Sequence, residues 1–111
     1  MPLKRKKRCD RNHVIYLITN VLTEEFYIGV TAAIRQAYLK SAKHRFRQHI
    51  SDATTRVKNS KLHESIRYYG KDNFSITVLH VIRSKLVAHE VETNLIRQYK
   101  PQLNTVSNNV R

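Results

Sequence analysis

Two short runs of β-branched and aromatic residues lie close together near the start of the chain. Residues 13–19 (HVIYLIT) and 26–31 (FYIGVT) have the composition of strands, and the polar stretch NVLTEE between them is typical of a turn. We therefore predict an antiparallel hairpin. Each run contains a tyrosine beside an isoleucine, Tyr16 and Tyr27. The pattern alone leaves open whether these tyrosines fill the core or take part in chemistry, because aromatic residues on hairpins usually pack against neighbours.

Apolar residues recur with helical spacing in the next part of the chain. Between about Ala32 and Ala53 they are three or four residues apart, which predicts a helix with one buried face. The predicted core positions of this helix are Leu39, Ala42, Phe46, Ile50 and Ala53.

Three further elements follow. Residues 59–70 predict a short helix that begins after Asn59 or Ser60, residues 73–82 predict a third strand, and residues 84–99 predict a last helix that ends before a proline. The order ββααβα predicts the α+β class, with a small three-stranded antiparallel sheet flanked by helices.

The charge balance of the chain is strongly basic. Its 111 residues include 21 Lys+Arg against 8 Asp+Glu, which gives a formal net charge of +13 and a pI near 10.3. This surplus favours a polyanionic partner, and DNA is the first candidate. No apolar stretch is long enough to span a bilayer, so we expect no membrane partner. One cysteine excludes an internal disulfide framework.

The basic residues also define the expected organisation of the chain. We predict a flexible basic tail over residues 1–12, a single domain over 13–105 and a short C-terminal tail over 106–111. Tail cations of this kind add salt-sensitive contacts to phosphate. The predicted nucleic-acid-binding residues are Lys4, Arg5, Lys6, Lys7 and Arg8 in the tail, and Lys58, Lys61, Arg67 and Lys71 around the second helix.

One carboxylate of the last predicted helix lies on its apolar side. In helical projection Glu92 falls inside the arc of apolar residues, whereas Glu90 falls outside it. A carboxylate directed toward a core needs a partner. The pattern leaves two alternatives open, a structural pair with an arginine or tyrosine and a bound metal ion. The apolar arc comprises Val87, Ala88, Val91, Leu95, Ile96 and Tyr99.

A second candidate pair lies on the first predicted helix. Arg45 and His49 are one turn apart on a flank of the apolar stripe, where they either clamp a phosphate and transfer a proton or are simply surface cations. The pairs Cys9 with His13 and His44 with His49 lack the further ligands of a structural zinc site, so we predict none.

Five short motifs, in order and each on a predicted element, resemble those of the GIY-YIG endonuclease family. The resemblance extends over residues 13–104 and is greatest to the compact catalytic domains of phage and homing endonucleases and of related restriction enzymes. Val14 stands where the family name has its first glycine. The motifs are VIY (14–16), YIG (27–29), RFRQH (45–49), ETNLI (92–96) and YKPQLN (99–104).

This resemblance implies a reaction and three principal roles. The implied reaction is hydrolysis of DNA phosphodiester bonds, with 5′-phosphate and 3′-hydroxyl products and one Mg²⁺ or Mn²⁺ ion per active site. Tyr16 would be the general base, Arg45 would stabilise charge on the phosphorane, and Glu92 would bind the metal.

The resemblance implies supporting roles for three more residues and leaves two assignments open. Tyr27 and His49 would position Tyr16, the water or the phosphate, and Asn104 would fix the local hydrogen-bond network. Arg35 is a rival to Arg45 as the arginine of the site. Either tyrosine is a candidate for the base.

Several functional alternatives also stay open at this point. The chain would make single-strand nicks as a monomer, or double-strand cuts as a homodimer on DNA. There are two alternatives to a DNA endonuclease. One is a protein of the same fold that only binds nucleic acid, and the other is a nuclease specific for RNA or single strands. We expect a cytoplasmic protein associated with the nucleoid or with phage DNA, or a nuclear protein in a eukaryotic host.

Overall fold

The described residues, 11–56 and 60–104, form three strands and three α-helices in a computed structural model. The order ββααβα and the α+β class are those predicted. A 3₁₀ turn over Lys71–Asn73 precedes the third strand. The elements are β1 (Asn12–Asn20), β2 (Phe26–Ala32), α1 (Tyr38–Thr54), α2 (Lys61–Tyr69), β3 (Phe74–Arg83) and α3 (Lys85–Tyr99).

The sheet is antiparallel, with β1 at its centre between β2 and β3. Val14, Ile15 and Tyr16 are each at most 1% exposed. The central strand is therefore buried on both faces, which explains its continuous apolar run in place of a strict alternation. The pairing of β1 with β3 shifts between Ile15 and Tyr16, so a bulge lies beside the first tyrosine.

Helices cover both faces of the sheet. On one face, α1 and α2 pack on a core that includes Val14, Tyr16, Ile18, Ala42, Phe46, Ala53, Leu62 and Ile66. On the other face, α3 contacts all three strands, with Leu95 and Tyr99 near Leu17 and Ile28. The buried arc predicted for α3 is only partly correct, since Val87 and Tyr99 are 45% and 55% exposed.

The first helix begins at Tyr38 and not near Ala32, as the apolar spacing suggests. Residues 33–37 form a turn in which Arg35 has a positive φ of 54°. The Ser41 hydroxyl accepts a hydrogen bond from the Ile34 N–H (2.7 Å) and donates one to the Ala37 carbonyl (2.6 Å). The turn is thus fixed by a side chain from the helix that follows it.

The prediction that Leu39 belongs to the core is wrong, because this residue is 45% exposed. The buried residues of α1 instead include three polar ones, Ser41, His49 and Asp52, beside Ala42, Phe46 and Ala53. Relative to the orientation predicted from its apolar residues, the helix is rotated about its axis so that polar side chains face the interior. A prediction that buries only apolar residues cannot give this orientation.

The remaining helix limits follow the predicted capping signals. The Ser60 hydroxyl accepts a hydrogen bond from the His63 N–H at the start of α2, and Gly70, with φ 89°, follows its end. Ser84 caps α3 in the same way, and Pro101 lies just beyond it. Among the described helices, none is long and apolar enough to cross a membrane.

The hairpin turn is attached to α2 through one buried amide. The Asn20 side chain accepts hydrogen bonds from the N–H groups of Leu22 (2.9 Å) and Thr23 (3.3 Å). Its amide nitrogen donates to the hydroxyl of Ser65 (3.2 Å). The turn and the second helix therefore form one unit around a fully buried side chain.

Candidate active site

The two motif tyrosines lie together over a glycine of the neighbouring strand. Tyr16 pairs with Gly29 across β1 and β2, and the ring centroids of Tyr16 and Tyr27 are 6.2 Å apart. A Cβ atom at Gly29 would lie 2.5 Å from the Tyr16 Oη and 2.7 Å from Cε1 of Tyr27. Both tyrosine rings are packed against neighbouring residues and cannot easily move away. Position 29 must therefore be a glycine, because any side chain there would overlap the rings.

A series of polar side chains extends from Tyr16 into the interior between α1 and α2. The Tyr16 Oη is 3.1 Å from His49 Nε2, and His49 Nδ1 is 3.3 Å from His63 Nε2. His63 Nδ1 is in turn 2.7 Å from the Ser60 Oγ at the start of α2. His49 is only 4% exposed, so it belongs to the interior and not to a helix flank as the sequence suggests.

His49, His63 and Ser60 border a pocket of about 300 Å³, and Tyr16 lies behind His49. Arg45 lines the pocket, with its Nη1 donating to Gln48 Oε1 (3.0 Å). The rival Arg35 is exposed in the turn before α1 and is not among the lining residues. The lining comprises Tyr27, Arg45, His49, Asp52, Ser60, Leu62, His63, Leu103 and Asn104.

Burial and nearby charges decide the ionisation of the two phenols. Burial raises the pKa of Tyr16 well above its usual value, and the neighbouring Tyr27 adds to this increase. Burial likewise raises the pKa of Tyr27, as does the negative charge of Glu92. The positive charge of Arg45 lowers the pKa of both tyrosines. In the protein alone, both phenols are therefore neutral at ordinary pH.

Glu92 lies on the inner side of α3, as its position in the apolar arc predicts. Its side chain is 18% exposed, whereas Glu90 is exposed. Burial raises the pKa of the Glu92 carboxyl to about 7. Its carboxylate lies 3.6 Å from His89 Nδ1, and its negative charge raises the pKa of Tyr16 and Tyr27. A divalent cation would offset the cost of this buried charge, so the donor fits a metal ion of the Mg²⁺ type.

Asn104 attaches the segment after α3 to the outer edge of β2. Its amide accepts a hydrogen bond from the Ile28 N–H and donates one to the Ile28 carbonyl, both at 2.9 Å. The Leu103 N–H donates to the Phe26 carbonyl (3.0 Å). These bonds hold the backbone on either side of Tyr27.

A cationic groove adjoins this pocket. It has a volume of about 510 Å³, and Asn104 lines both. The predicted nucleic-acid contact Lys61 lies in the groove together with Arg97 and Lys100, two cations that the sequence analysis missed.

The other predicted nucleic-acid contacts lie elsewhere. Lys71 is exposed, and Arg67 donates from Nη1 to the Ala53 carbonyl (2.9 Å), which links α2 to α1. The tail residues Lys4, Arg5, Lys6, Lys7 and Arg8, and also Lys58, lie outside the described residues.

Three further polar residues of the site were missed in the sequence analysis, namely Asp52, Ser60 and His63. A signal for two of them exists, because Asp52 lies three residues after His49 on α1 and His63 lies three residues after its helix cap. The contact between these residues depends on how α1 packs against α2, and the spacing of residues in the sequence does not predict that packing.

Comparison with known proteins identifies the family and the fold. The family model described as the GIY-YIG catalytic domain matches residues 12–106. The catalytic domain of homing endonuclease I-TevI has a similar structure, with TM-score 0.65 and 23% identity over 86% of this chain and 99% of that chain. A mutant of the catalytic domain of intron endonuclease I-TevI gives a TM-score of 0.66 at 23% identity, over 86% and 92% of the two chains. Among curated proteins, none matches the chain.

The contact of both phenols with Gly29 gives a first test. Gly29→Ala is expected to lower the free energy of unfolding by about 1–3 kcal/mol, because the new methyl group forces two buried rings to move. It should also shift the NMR signals of the Tyr16 and His49 side chains. Gly70→Ala is the control for the NMR signals, because its φ of 89° also lowers stability but its Cβ would approach nothing closer than 3.9 Å, so the Tyr16 and His49 signals should not move. A Gly29→Ala protein with unchanged signals and a loss below about 0.5 kcal/mol would contradict this packing.

The raised pKa of Glu92 predicts a pH dependence of stability. The carboxyl has a pKa of about 7 in the folded chain against 4.5 ordinarily, so the folded state binds more protons between these values. The contribution of Glu92 to the free energy of unfolding is therefore fully present below pH 4.5, and it is lost as the pH rises through 7. In urea denaturation with EDTA, the wild type should lose about 2–3 kcal/mol relative to Glu92→Gln between pH 4.5 and 8. Glu90→Gln should follow the wild type, and parallel curves for all three proteins would refute the assignment.

Proposed function

The chain belongs to the GIY-YIG family and is an endonuclease, and from this we propose that it hydrolyses DNA phosphodiester bonds with the help of one divalent metal ion. The proposed products have 5′-phosphate and 3′-hydroxyl ends. One observation supports this proposal above all, namely the Tyr16 phenol bonded to His49 beside the pocket that Arg45 lines. A hydroxyl and an imidazole can take up the proton of an attacking water, and a guanidinium can neutralise the negative charge that develops on the phosphate diester.

Arg45 would bind the scissile phosphate. It is the guanidinium among the lining residues of the pocket, where Tyr27 and Asn104 are its neighbours across the space. A guanidinium fits two phosphate oxygens through paired hydrogen bonds. Because the negative charge on those oxygens grows as the attacking bond forms, the interaction is strongest in the transition state, where one such donor contributes roughly 3–4 kcal/mol.

Tyr16 would act as the general base through a coupled proton transfer. Its phenol is neutral because burial raises the pKa, so a free phenolate is not the reactive form. As the water oxygen bonds to phosphorus, a water proton passes to the Tyr16 Oη and the phenol proton passes to His49 Nε2, 3.1 Å away. The bond from phosphorus to the 3′-oxygen breaks as the new bond forms, and the departing 3′-oxygen takes a proton from solvent water to become the 3′-hydroxyl. The buried phenol therefore never has to exist as an anion in a site of low polarity.

Tyr27 and Asn104 would keep these groups in position. The Tyr27 ring packs edge-on against the His49 imidazole, with centroids 5.4 Å apart. Asn104 holds the β2 backbone next to Tyr27. Errors of about 1 Å in such positions reduce rates strongly, so these contacts support the reaction without touching the bond that breaks.

Glu92 would bind the metal ion, Mg²⁺ or Mn²⁺. Its partly buried carboxylate raises the pKa of both tyrosines, which supports a position within electrostatic reach of them. When bound, the ion supplies Lewis-acid stabilisation of the negative charge on the phosphate.

The DNA backbone would continue from the pocket into the cationic groove of Lys61, Arg97 and Lys100. Three cations on one side of the site fit contacts with successive phosphates, which hold the duplex without selecting a sequence. The tail cations would add to these contacts. Cleavage of both strands would require a second active site, which a homodimer on DNA supplies.

Plasmid cleavage tests the proposed function directly. Supercoiled plasmid with Mg²⁺ or Mn²⁺ should be converted to nicked or linear DNA, and EDTA should stop the conversion. Glu92→Ala is expected to reduce the rate by about 100-fold or more, because the metal ligand is lost. Glu90→Ala on the exposed side of the same helix should cleave like the wild type. Binding of the plasmid without metal-dependent cleavage would refute the nuclease, and degradation of single strands alone would show a different substrate.

The two arginines provide a test of the phosphate site. Arg45→Ala should lower the cleavage rate by about 10²–10³ while most DNA binding remains, since the lost interaction forms mainly in the transition state. Arg35→Ala should stay within about threefold of the wild type, since Arg35 does not line the pocket. The measurements are single-turnover cleavage and fluorescence anisotropy. The reverse order of the two variants would show that the site uses Arg35.

A further inference from the structure

We propose that His49, Asp52 and His63 form a second metal site, distinct from Glu92, that takes a transition ion such as Zn²⁺. One nitrogen or oxygen from each of the three residues lies within 4.8 Å of the others. All three residues are buried, at 4%, 9% and 7% exposure, and the Asp52 carboxylate also lies 3.8 Å from Arg56 Nη1. Buried groups of this kind persist where they are paired or bind a metal.

The separation of the two imidazoles fits a shared ion. His49 Nδ1 and His63 Nε2 are 3.3 Å apart. Two nitrogens bound at about 2.0–2.1 Å to one tetrahedral Zn²⁺ are roughly 3.3–3.4 Å apart. Little movement of either ring is therefore needed for both nitrogens to bind the same ion.

The outer nitrogen of each imidazole also has the partner that metal-bound histidines need. His49 Nε2 is 3.1 Å from the Tyr16 Oη, and His63 Nδ1 is 2.7 Å from the Ser60 Oγ. In metal sites the second ring nitrogen bears the proton and donates it to an oxygen, which fixes the ring and its tautomer. Both rings satisfy this condition, and they do so on opposite sides of the cluster.

The donor set determines the class of ion. Two imidazoles and one carboxylate suit Zn²⁺, Co²⁺ and similar ions, whereas Mg²⁺ prefers oxygen ligands and retains its water. The cluster borders the pocket of about 300 Å³, which gives an ion a route of entry and leaves room for water as a fourth ligand. This site revises the expectation from sequence, which considered only His44 as a companion of His49. The fold provides Asp52 and His63 in its place.

Occupation of this site would oppose catalysis, an effect that rests on the proposed function. An ion on His49 Nδ1 leaves the proton of the neutral ring on Nε2, where it faces the Tyr16 Oη. The imidazole then cannot accept the phenol proton. A transition ion would thus act as an inhibitor, while metal binding itself does not depend on the nuclease reaction.

Spectroscopic titration tests the site on the full chain. Protein freed of metal with EDTA and returned to excess Mg²⁺ is titrated with Co²⁺, and the intense visible bands of tetrahedral Co²⁺ are followed. We expect one equivalent of Co²⁺ to bind and Zn²⁺ to displace it. His63→Gln and Asp52→Asn should each weaken Zn²⁺ binding at least about tenfold. His44→Gln on the exposed side of α1, Cys9→Ser in the tail and Glu92→Gln in α3 should bind like the wild type.

Three results would overturn the proposal. They are the absence of tetrahedral Co²⁺ at one equivalent in the wild type, unchanged Zn²⁺ affinity in both His63→Gln and Asp52→Asn, and loss of binding in Glu92→Gln. Circular dichroism checks that the variants fold, and the wild-type titration decides the question if they do not. Plasmid cleavage in Mg²⁺ is measured separately, so an inactive protein that binds one Co²⁺ refutes the proposed function and leaves the site intact.

Discussion

Two phenol rings pack over the one position of β2 that has no side chain, and the other groups of the site take their places from this contact. Tyr16 stands opposite Gly29 in the pairing of β1 with β2, so the rings depend on the strand register. A shift of one residue would turn Tyr16 to the other face of the sheet, away from α1. With the register fixed, the Tyr16 hydroxyl meets His49, and the buried polar groups of α1 and α2 follow from there.

This arrangement places polar groups in a small core, which a domain of this size tolerates only when they are bonded to one another. His49, His63 and Asn20 are all buried, and each has hydrogen-bond partners from a distant part of the chain. Deletion of one partner leaves another group buried without a bond, which is costly. The site and the stability of the fold therefore depend on the same contacts between α1, α2 and the hairpin.

Local signals in the sequence were sufficient for most of the fold. The hairpin, the serine caps of α2 and α3 and the inward position of Glu92 all follow from residues within a few positions of one another. The start of α1 was missed because the Ser41 hydroxyl holds a turn before it, and the apolar spacing continues through that turn. His63 was missed for a different reason, because its meeting with His49 depends on packing between two helices. Arg97 and Lys100 join Lys61 only when the end of α3 meets the start of α2.

The bonds from residues 103 and 104 to the edge of β2 have a consequence for the time at which the site forms during synthesis. The Asn104 amide and the Ile28 backbone are 76 positions apart in the sequence. The edge of β2 therefore cannot form these hydrogen bonds until almost the whole domain has been synthesised. Proteins fold from the N-terminus as they leave the ribosome, and contacts between distant positions form last. A growing chain would therefore lack this support of the Tyr27 backbone until residue 104 has emerged.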